Sequence, residues 1–297
     1  MQHYAFRKLR SSSLYACATE CLVSSVCLSF GYQQDSGVCL LNSNSSKHVS
    51  VVTRSNFIFS DIEQWQKTLP GKCAVESCPE TSTCRTDRYG RASCVKEFRG
   101  CGTPPEVTGA RRKYQYHYEG AVATYSCRKD FLPCYKKTTS SCQSSGHWEN
   151  MAGLCAQCRW HNPALGKGYV LPCGPLRSFK ATFIVKPTGP TRFFAQVKKG
   201  KDIPFHCDFR FNYHQHSNMI AINTEFQGHI GSQLYLPHIP LAVGRESEIQ
   251  VELHRGVYQL IVDGHNTFNF TERVRGVRPD HVLITGDVLV SMIEVNL

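Results

Sequence analysis

The stretch RFFAQVKKGKDIPFHCDFRFN, residues 192–212, decides the fold class of the C-terminal part of this chain. RFFAQV and IPFHCDFRF each alternate apolar with polar residues, and Lys199-Gly200-Lys201-Asp202 separates them. A period of two marks a strand with one buried face, and the glycine-containing break reads as a turn. Outward from it, the same texture recurs in FKATFIV (179–185), NMIAIN (218–223), EIQVELH (248–254), VYQLIV (257–262), TFNF (267–270) and VLVSMIEV (288–295). Pro187-Thr188-Gly189-Pro190, Asp263-Gly264 and Gly286-Asp287 punctuate these runs. Many short strands at even spacing predict an all-β sandwich or barrel. Asp263-Gly264 between two alternating runs predicts a tight hairpin.

In that order, 192–212, VYQLIVDGHNTFNFTERV (257–274) and GDVLVSMIEV (286–295) resemble three landmarks of the galectin family. The resemblance implies a galectin-like β-sandwich, a jelly roll, over 175–297, with a carbohydrate-binding face. The family signature begins H-x-N-x-R on one strand. Here it reads His206-Cys207-Asp208-Phe209-Arg210, with Asp208 where the family has Asn. Alternation directs His206, Asp208 and Arg210 to the concave, solvent-facing side and Cys207 and Phe209 to the core. Cys207 is thus expected to be a free core thiol. His214 and Asn223 match the family's next two polar ligands. The family's aromatic platform follows in W-G-x-E-x-R, where this chain reads Ile230-Gly231-Ser232-Gln233-Leu234-Tyr235. Ile230 stands for the Trp, Gln233 for the Glu and Tyr235 for the last Arg.

Carried over, the carbohydrate-binding set is His206, Asp208, Arg210, His214, Asn223, Ile230, Gln233 and Tyr235. A galactose ring offers a C–H face that stacks on an aromatic plane, and hydroxyls that take charged or amide groups. His206 and Arg210 suit an axial hydroxyl and the ring oxygen; Asn223 suits the exocyclic hydroxymethyl. Asp208 is the candidate replacement for the missing carboxylate, and Tyr235 or His229 for the missing aromatic face. His214 and His216 share the loop YHQHSN, where a histidine is more often solvated than a ligand.

Upstream, cysteines organise the chain. There are 16, and all but Cys207 precede the core of the C-terminal domain. Residues 1–70 carry Cys17, Cys21, Cys27 and Cys39, a C-x3-C-x5-C run before an alternating stretch, read as a short helix feeding a strand. This resembles the PAN/apple module, an α+β fold that binds proteins or sugars; it implies the pairs Cys21–Cys27 and Cys17–Cys39. Cys73, Cys78, Cys84 and Cys94 in 71–98 resemble a truncated EGF-like spacer, implying Cys73–Cys84 and Cys78–Cys94. Residues 99–157 run CGTPPEV, YEGAVATYSC and SSCQSSGHWENMAGLC. They resemble a sushi (complement control) module, a small β fold with one buried Trp, here Trp148, and crossed disulfides Cys101–Cys142 and Cys127–Cys155. Cys158 and Cys173 bracket a Pro/Gly connector, 158–174, and are expected to bridge to each other. Cys155–Cys158 is the one C-x2-C; its first cysteine completes the sushi pattern, so no metal site is expected.

Such cysteine density belongs to small secreted modules without room for large cores. MQHYAFRKLR holds no apolar stretch long enough for a signal peptide, and no run approaches a transmembrane span. Asn44-Ser45-Ser46 lies in a polar loop and is a candidate glycan acceptor, whereas Asn269-Phe270-Thr271 sits in a predicted strand. The formal charge is +11, with basic clusters at Arg111-Arg112-Lys113, Lys198 to Lys201 and Arg273 to Arg278. Such surfaces attract acidic partners, sulfated glycans included. No nucleic-acid motif accompanies the charge. No G-x-S-x-G, H-E-x-x-H or phosphate loop is present, so neither an enzyme nor a cofactor is expected.

The chain is thus expected to be mainly β and multidomain: a secreted modular lectin for β-galactosides or related glycans, serving adhesion or recognition. Its N-terminal modules would add protein contacts. The alternative is a protein-binding adhesion or matrix factor whose galectin-like domain is a scaffold without sugar affinity.

Overall fold

The computed structural model describes residues 4–50 and 55–297. The chain divides into two compact units: residues 1–126 with 136–152, and residues 127–135 with 153–297.

The first unit opens with β1 (Ala5–Arg10), α1 (Leu14–Leu22), β2 (Ser29–Gln33), β3 (Val38–Asn42) and β4 (Phe57–Asp61). The strands form a sheet of order β1-β3-β2-β4. Ser13 starts the helix: its side chain accepts from the Ala16 N–H at 3.1 Å, satisfying one orphan donor. Cys17 and Cys21, four residues apart, share one helix face. From there they bond Cys39 on β3 and Cys27. These bridges, with Phe6, Phe30 and Leu41, build a small core. The hairpin β5 (Ser82–Thr86) and β6 (Ala92–Lys96) follows, stapled by Cys73–Cys84 and Cys78–Cys94. Next come β7 (Ala110–Lys113), β8 (Val122–Cys127), β9 (Phe131–Pro133), β10 (Thr139–Ser141) and β11 (Cys155–Gln157). Strands β10-β8-β7 make one sheet of this unit, whereas the pair β11-β9 falls within the second unit. Cys101–Cys142 and Cys127–Cys155 close this region. Trp148, expected in the interior, is only half-buried, because its indole N–H reaches the Gly102 carbonyl at the surface (3.1 Å).

The connector departs from expectation. Cys173 bonds Cys134, not Cys158, and Cys158 is a buried free thiol. The reason lies in strand pairing. β12 (Arg159–His161) adds to the edge of the sandwich, and the Cys158 backbone is occupied by Asp130 and Val295. This holds Cys158 in its own slot while Cys173 turns, at φ 65°, toward Cys134. The segment 127–135 thereby belongs to the second unit.

The second unit is a two-sheet sandwich. Its remaining strands are β13 (Tyr169–Val170), β14 (Phe179–Pro187), β15 (Arg192–Lys199), β16 (Asp202–Tyr213), β17 (His216–Phe226), β18 (His229–Ile230), β19 (Leu234–Leu236), β20 (Ser247–His254), β21 (Val257–Val262), β22 (His265–Thr271), β23 (His281–Gly286) and β24 (Val288–Asn296). One sheet runs β12-β24-β14-β20-β21-β22; the other runs β13-β23-β15-β16-β17-β18, with β19 also on β17. Alternate residues from both sheets meet in one core, where Phe193 stacks on Phe209 (4.7 Å) and Phe205 on Tyr258 (4.9 Å). Cys207 is wholly buried there as a free thiol. Asp263 (φ 47°) and Gly264 (φ 80°) form the two-residue turn between β21 and β22. Both residues take the left-handed conformation that matches the twist of a tight hairpin.

Candidate functional site

The exposed side of the seven-stranded sheet is assembled by register. Gln196 on β15, His206 on β16 and Asn223 on β17 pair in one row. One step along lie Phe194, Asp208, Ala221 and Tyr235. The next row holds Arg192, Arg210 and Met219. Because strand side chains alternate, these rows share a face while Cys207 and Phe209 point inward.

The face is less open than alternation implies. Asp208 is only 1% exposed and Arg210 7%. The Asp208 Oδ2 accepts from Arg210 Nε at 2.8 Å and lies 3.4 Å from an Arg192 terminal nitrogen. Two cations thus close over one carboxylate, which corrects the expectation that Asp208 faces solvent. Asp208 holds the guanidiniums instead of reaching outward. Its Oδ1 is buried without a hydrogen-bond partner. The Arg210 guanidinium in turn lies 5.6 Å from the Tyr213 ring and 5.9 Å from the Tyr235 ring. Arg192 packs over Tyr213 at 4.0 Å, a cation–π contact.

His206 is oriented from the side. The Gln196 side-chain nitrogen lies 2.9 Å from its Nδ1. An amide nitrogen only donates, so Nδ1 accepts and the neutral ring carries its proton on Nε2. Burial lowers the His206 pKa, with Arg210 and Arg192 adding to the effect and Asp208 opposing it. The ring also leans on Phe194, 5.1 Å between centroids. Asn223 is buried, and among the described residues its amide makes no hydrogen bond.

The other sequence-derived candidates divide. Tyr235 is 46% exposed, stacks on His216 (5.2 Å, 14°), and donates its hydroxyl to Gln233. This pair forms an aromatic plane next to Arg210. Ile230 is 70% exposed and pairs with Glu225, beyond the His206–Asn223 row. It offers no ring. His229 is exposed beside it. His214 sits in the two-residue turn between β16 and β17 at φ 52°, edge-on to Tyr213. Among the described residues, no hydrogen bond or ring contact joins it to His206 or Arg210.

Gln196, Arg192, Tyr213 and His216 were not singled out from sequence as site residues. The turn at 199–202 brackets them, and counting back from it almost pairs Gln196 with His206. A bulge between Val197 and Lys199 shifts that register by one, which spacing alone does not reveal.

Comparison with known proteins bears on the same segment. A sequence model described as Galactoside-binding lectin matches residues 175–295, and one described as PAN domain matches residues 1–65. Galectin-3 of Oryctolagus cuniculus is 26% identical over 121 residues, covering 40% of this chain and 49% of that protein. The chain thus spans about half the length of this curated relative. Among solved structures, Caenorhabditis elegans galectin LEC-6 is 19% identical over 47% of this chain and 96% of its own, with a TM-score of 0.43. Sheep galectin-11, solved in complex with glycerol, is 19% identical over 45% of this chain and 100% of its own, with a TM-score of 0.38. The two sequence models thus place a galactoside-binding lectin domain at residues 175–295 and a PAN domain at residues 1–65.

Proposed function

We propose that the protein is an extracellular modular lectin whose galectin domain binds β-galactoside-type glycans on the β16–β17 face. The observation that carries this reading is the buried Asp208–Arg210 pair. A guanidinium fixed on a buried carboxylate is a preorganised donor and needs little reordering when a sugar arrives. Arg210 and the Nε2–H of His206 would donate to ring hydroxyls. The unpaired Asn223 amide would take the hydroxymethyl group. Tyr235, backed by His216, would give the sugar's C–H face an aromatic plane, the role that Ile230 cannot fill.

The accompanying modules fit a binding protein rather than a catalyst. We read 71–98 as an EGF-like spacer and 99–157 as a sushi module. With the PAN domain they would supply protein contacts, and linked weak sites would raise avidity in adhesion or recognition. Seven disulfides support an oxidising, extracellular setting. No described helix is long and apolar enough to cross a membrane. The half-buried Asn44 is the proposed glycan acceptor.

Calorimetric titration of the full chain with lactose tests the reading. Wild type is expected to bind, and Arg210→Lys to weaken binding about tenfold or more by losing the planar fork. No affinity of the wild type for any β-galactoside would overturn it.

A further inference from the structure

A concavity lies in the second unit, away from the His206 face. It has a volume of about 320 Å³ and is lined by Arg177, Arg255, Arg278 and Glu272 among others. Arg177 precedes β14, Arg255 forms the β20–β21 turn with Gly256, and Glu272 and Arg278 follow β22. The cavity therefore sits at one end of the six-stranded sheet, where three chain segments meet.

Its rim is strongly cationic and unpaired. Arg177, Arg255 and Arg278 are all exposed, and among the described residues none has an ion pair or a hydrogen bond. Some other cations of the unit are engaged: Lys180 with Glu252, Lys199 with Asp280, Arg159 with Glu294. Even Arg273, in the same basic run as Arg278, is spent on the Ser232 carbonyl and the Phe270 ring. Like charges converging on one hollow repel, and an anion relieves that repulsion. Guanidinium forks match the paired oxygens of sulfate or carboxylate.

The floor asks for something else. Glu272 Oε1 is buried and has no hydrogen-bond partner. Burial raises the Glu272 carboxyl pKa, against a backbone N–H of Gly276. Glu272 also lines the cavity, and a ligand hydroxyl that donates to its carboxylate supplies a partner that the chain itself does not. A bare inorganic anion brings oxygens for the arginines but no hydroxyl donor for Glu272. A sulfated sugar brings both.

We propose that this cavity is a second carbohydrate site, in which Arg177, Arg255 and Arg278 bind the sulfate of a sulfated saccharide and Glu272 accepts from a neighbouring hydroxyl. The site shares no residue with the His206 face and does not rest on the galactoside reading.

The test titrates the full chain with a heparin-derived hexasaccharide, its chemically desulfated form, inorganic sulfate and lactose. Wild type is expected to prefer the sulfated hexasaccharide over the desulfated one by about tenfold or more, with affinity falling as salt rises. Arg177→Gln/Arg255→Gln/Arg278→Gln is expected to lose that affinity about tenfold while the lactose titration stays as in wild type. Should the triple variant misfold, Arg278→Glu alone, at an exposed position, gives the same readout. Glu272→Gln is expected to weaken the sulfated saccharide several-fold without changing inorganic sulfate binding. The proposal is overturned if wild type ignores the sulfated saccharide or if the arginine variants bind it as wild type does. An aspartate-rich peptide competing as well as the saccharide would overturn it too and make the occupant a protein. Loss through Arg210→Ala instead would move sulfate binding to the β16–β17 face.

Discussion

Asp208 and Arg210 are two residues apart on one strand and joined by a 2.8 Å hydrogen bond, with both side chains almost fully withdrawn from water. Such a pair is sensitive to loss of one partner more than to loss of both. Removing Asp208 leaves Arg210 buried and uncompensated, which costs about 3–5 kcal/mol. Asp208→Ala is therefore expected to lower the stability measured by denaturant unfolding by that order. The same variant is expected to weaken lactose. Asp208→Asn, which still accepts from Arg210, should lie between. Equal stability of wild type and Asp208→Ala would show that the pair is not closed in solution.

Sugar binding should depend on pH through His206. Its folded pKa is lowered from the ordinary 6.5, chiefly by burial. The unfolded ring therefore binds protons more readily than the folded one, so the His206 contribution to stability is lost as pH falls through 6.5 toward the lowered value. Protonation also puts an N–H against the donating Gln196 amide. Affinity for lactose is expected to be flat above neutrality and to drop in that acidic window. In Gln196→Leu the ring loses its lateral anchor, and weaker binding is expected even at pH 8. An acid-independent titration would remove His206 from the site.

The aromatic plane can be separated from the position that the family resemblance assigns to it. Tyr235→Ala is expected to cost about 0.5–1.5 kcal/mol of lactose affinity, the scale of a lost stacking contact. Ile230→Trp is expected to leave the melting temperature nearly unchanged, since Ile230 is 70% exposed. If a ring at that position still reaches the sugar, the variant gains affinity of the same order. Titration of the two variants against one ligand decides which position serves the stacking role.

Thiol chemistry checks the cysteine assignment. Cys158 and Cys207 are free and buried, and burial raises both thiol pKa values, Cys207 the more strongly. Neither is expected to react with a thiol-specific reagent in the native protein. After unfolding without reductant, both should react. Replacing Cys134 and Cys173 together by Ser removes a bridge across 39 residues and is expected to cost about 3–4 kcal/mol in the loop-entropy account. A native protein with reactive Cys158 would mean that the β12 edge strand is open.

Much of the sandwich was legible because alternation and turn residues are local properties. VYQLIV, Asp263-Gly264 and HNTFNF each carry their own signal, and together they make the β21–β22 hairpin. The cysteine bridges of 17–39 and 73–94 were also legible, through spacings that resemble a PAN module and a truncated EGF-like one. The pairing of Cys134 with Cys173 was not. It depends on which backbone groups of 158–161 join the sandwich edge, a long-range choice with no trace in cysteine spacing.

The sequence, through its resemblance to the galectin signature, supplied the types of residue expected on the candidate face: His206, Arg210, His214 and Asn223 matching that signature, Ile230, Gln233 and Tyr235 departing from it, and Asp208 where it has Asn. Sequence also placed Cys207 and Phe209 in the core, because strand periodicity is a property of the backbone. Only the tertiary structure decided what these residues do to one another. Four strands, β15, β16, β17 and β19, had to be brought into register before Gln196 met His206 and Tyr235 came level with Asp208. Only then did Asp208, polar by composition, become a buried counter-charge beneath Arg192 and Arg210. Burial and pairing are sums over neighbours distant in sequence, which no local pattern contains.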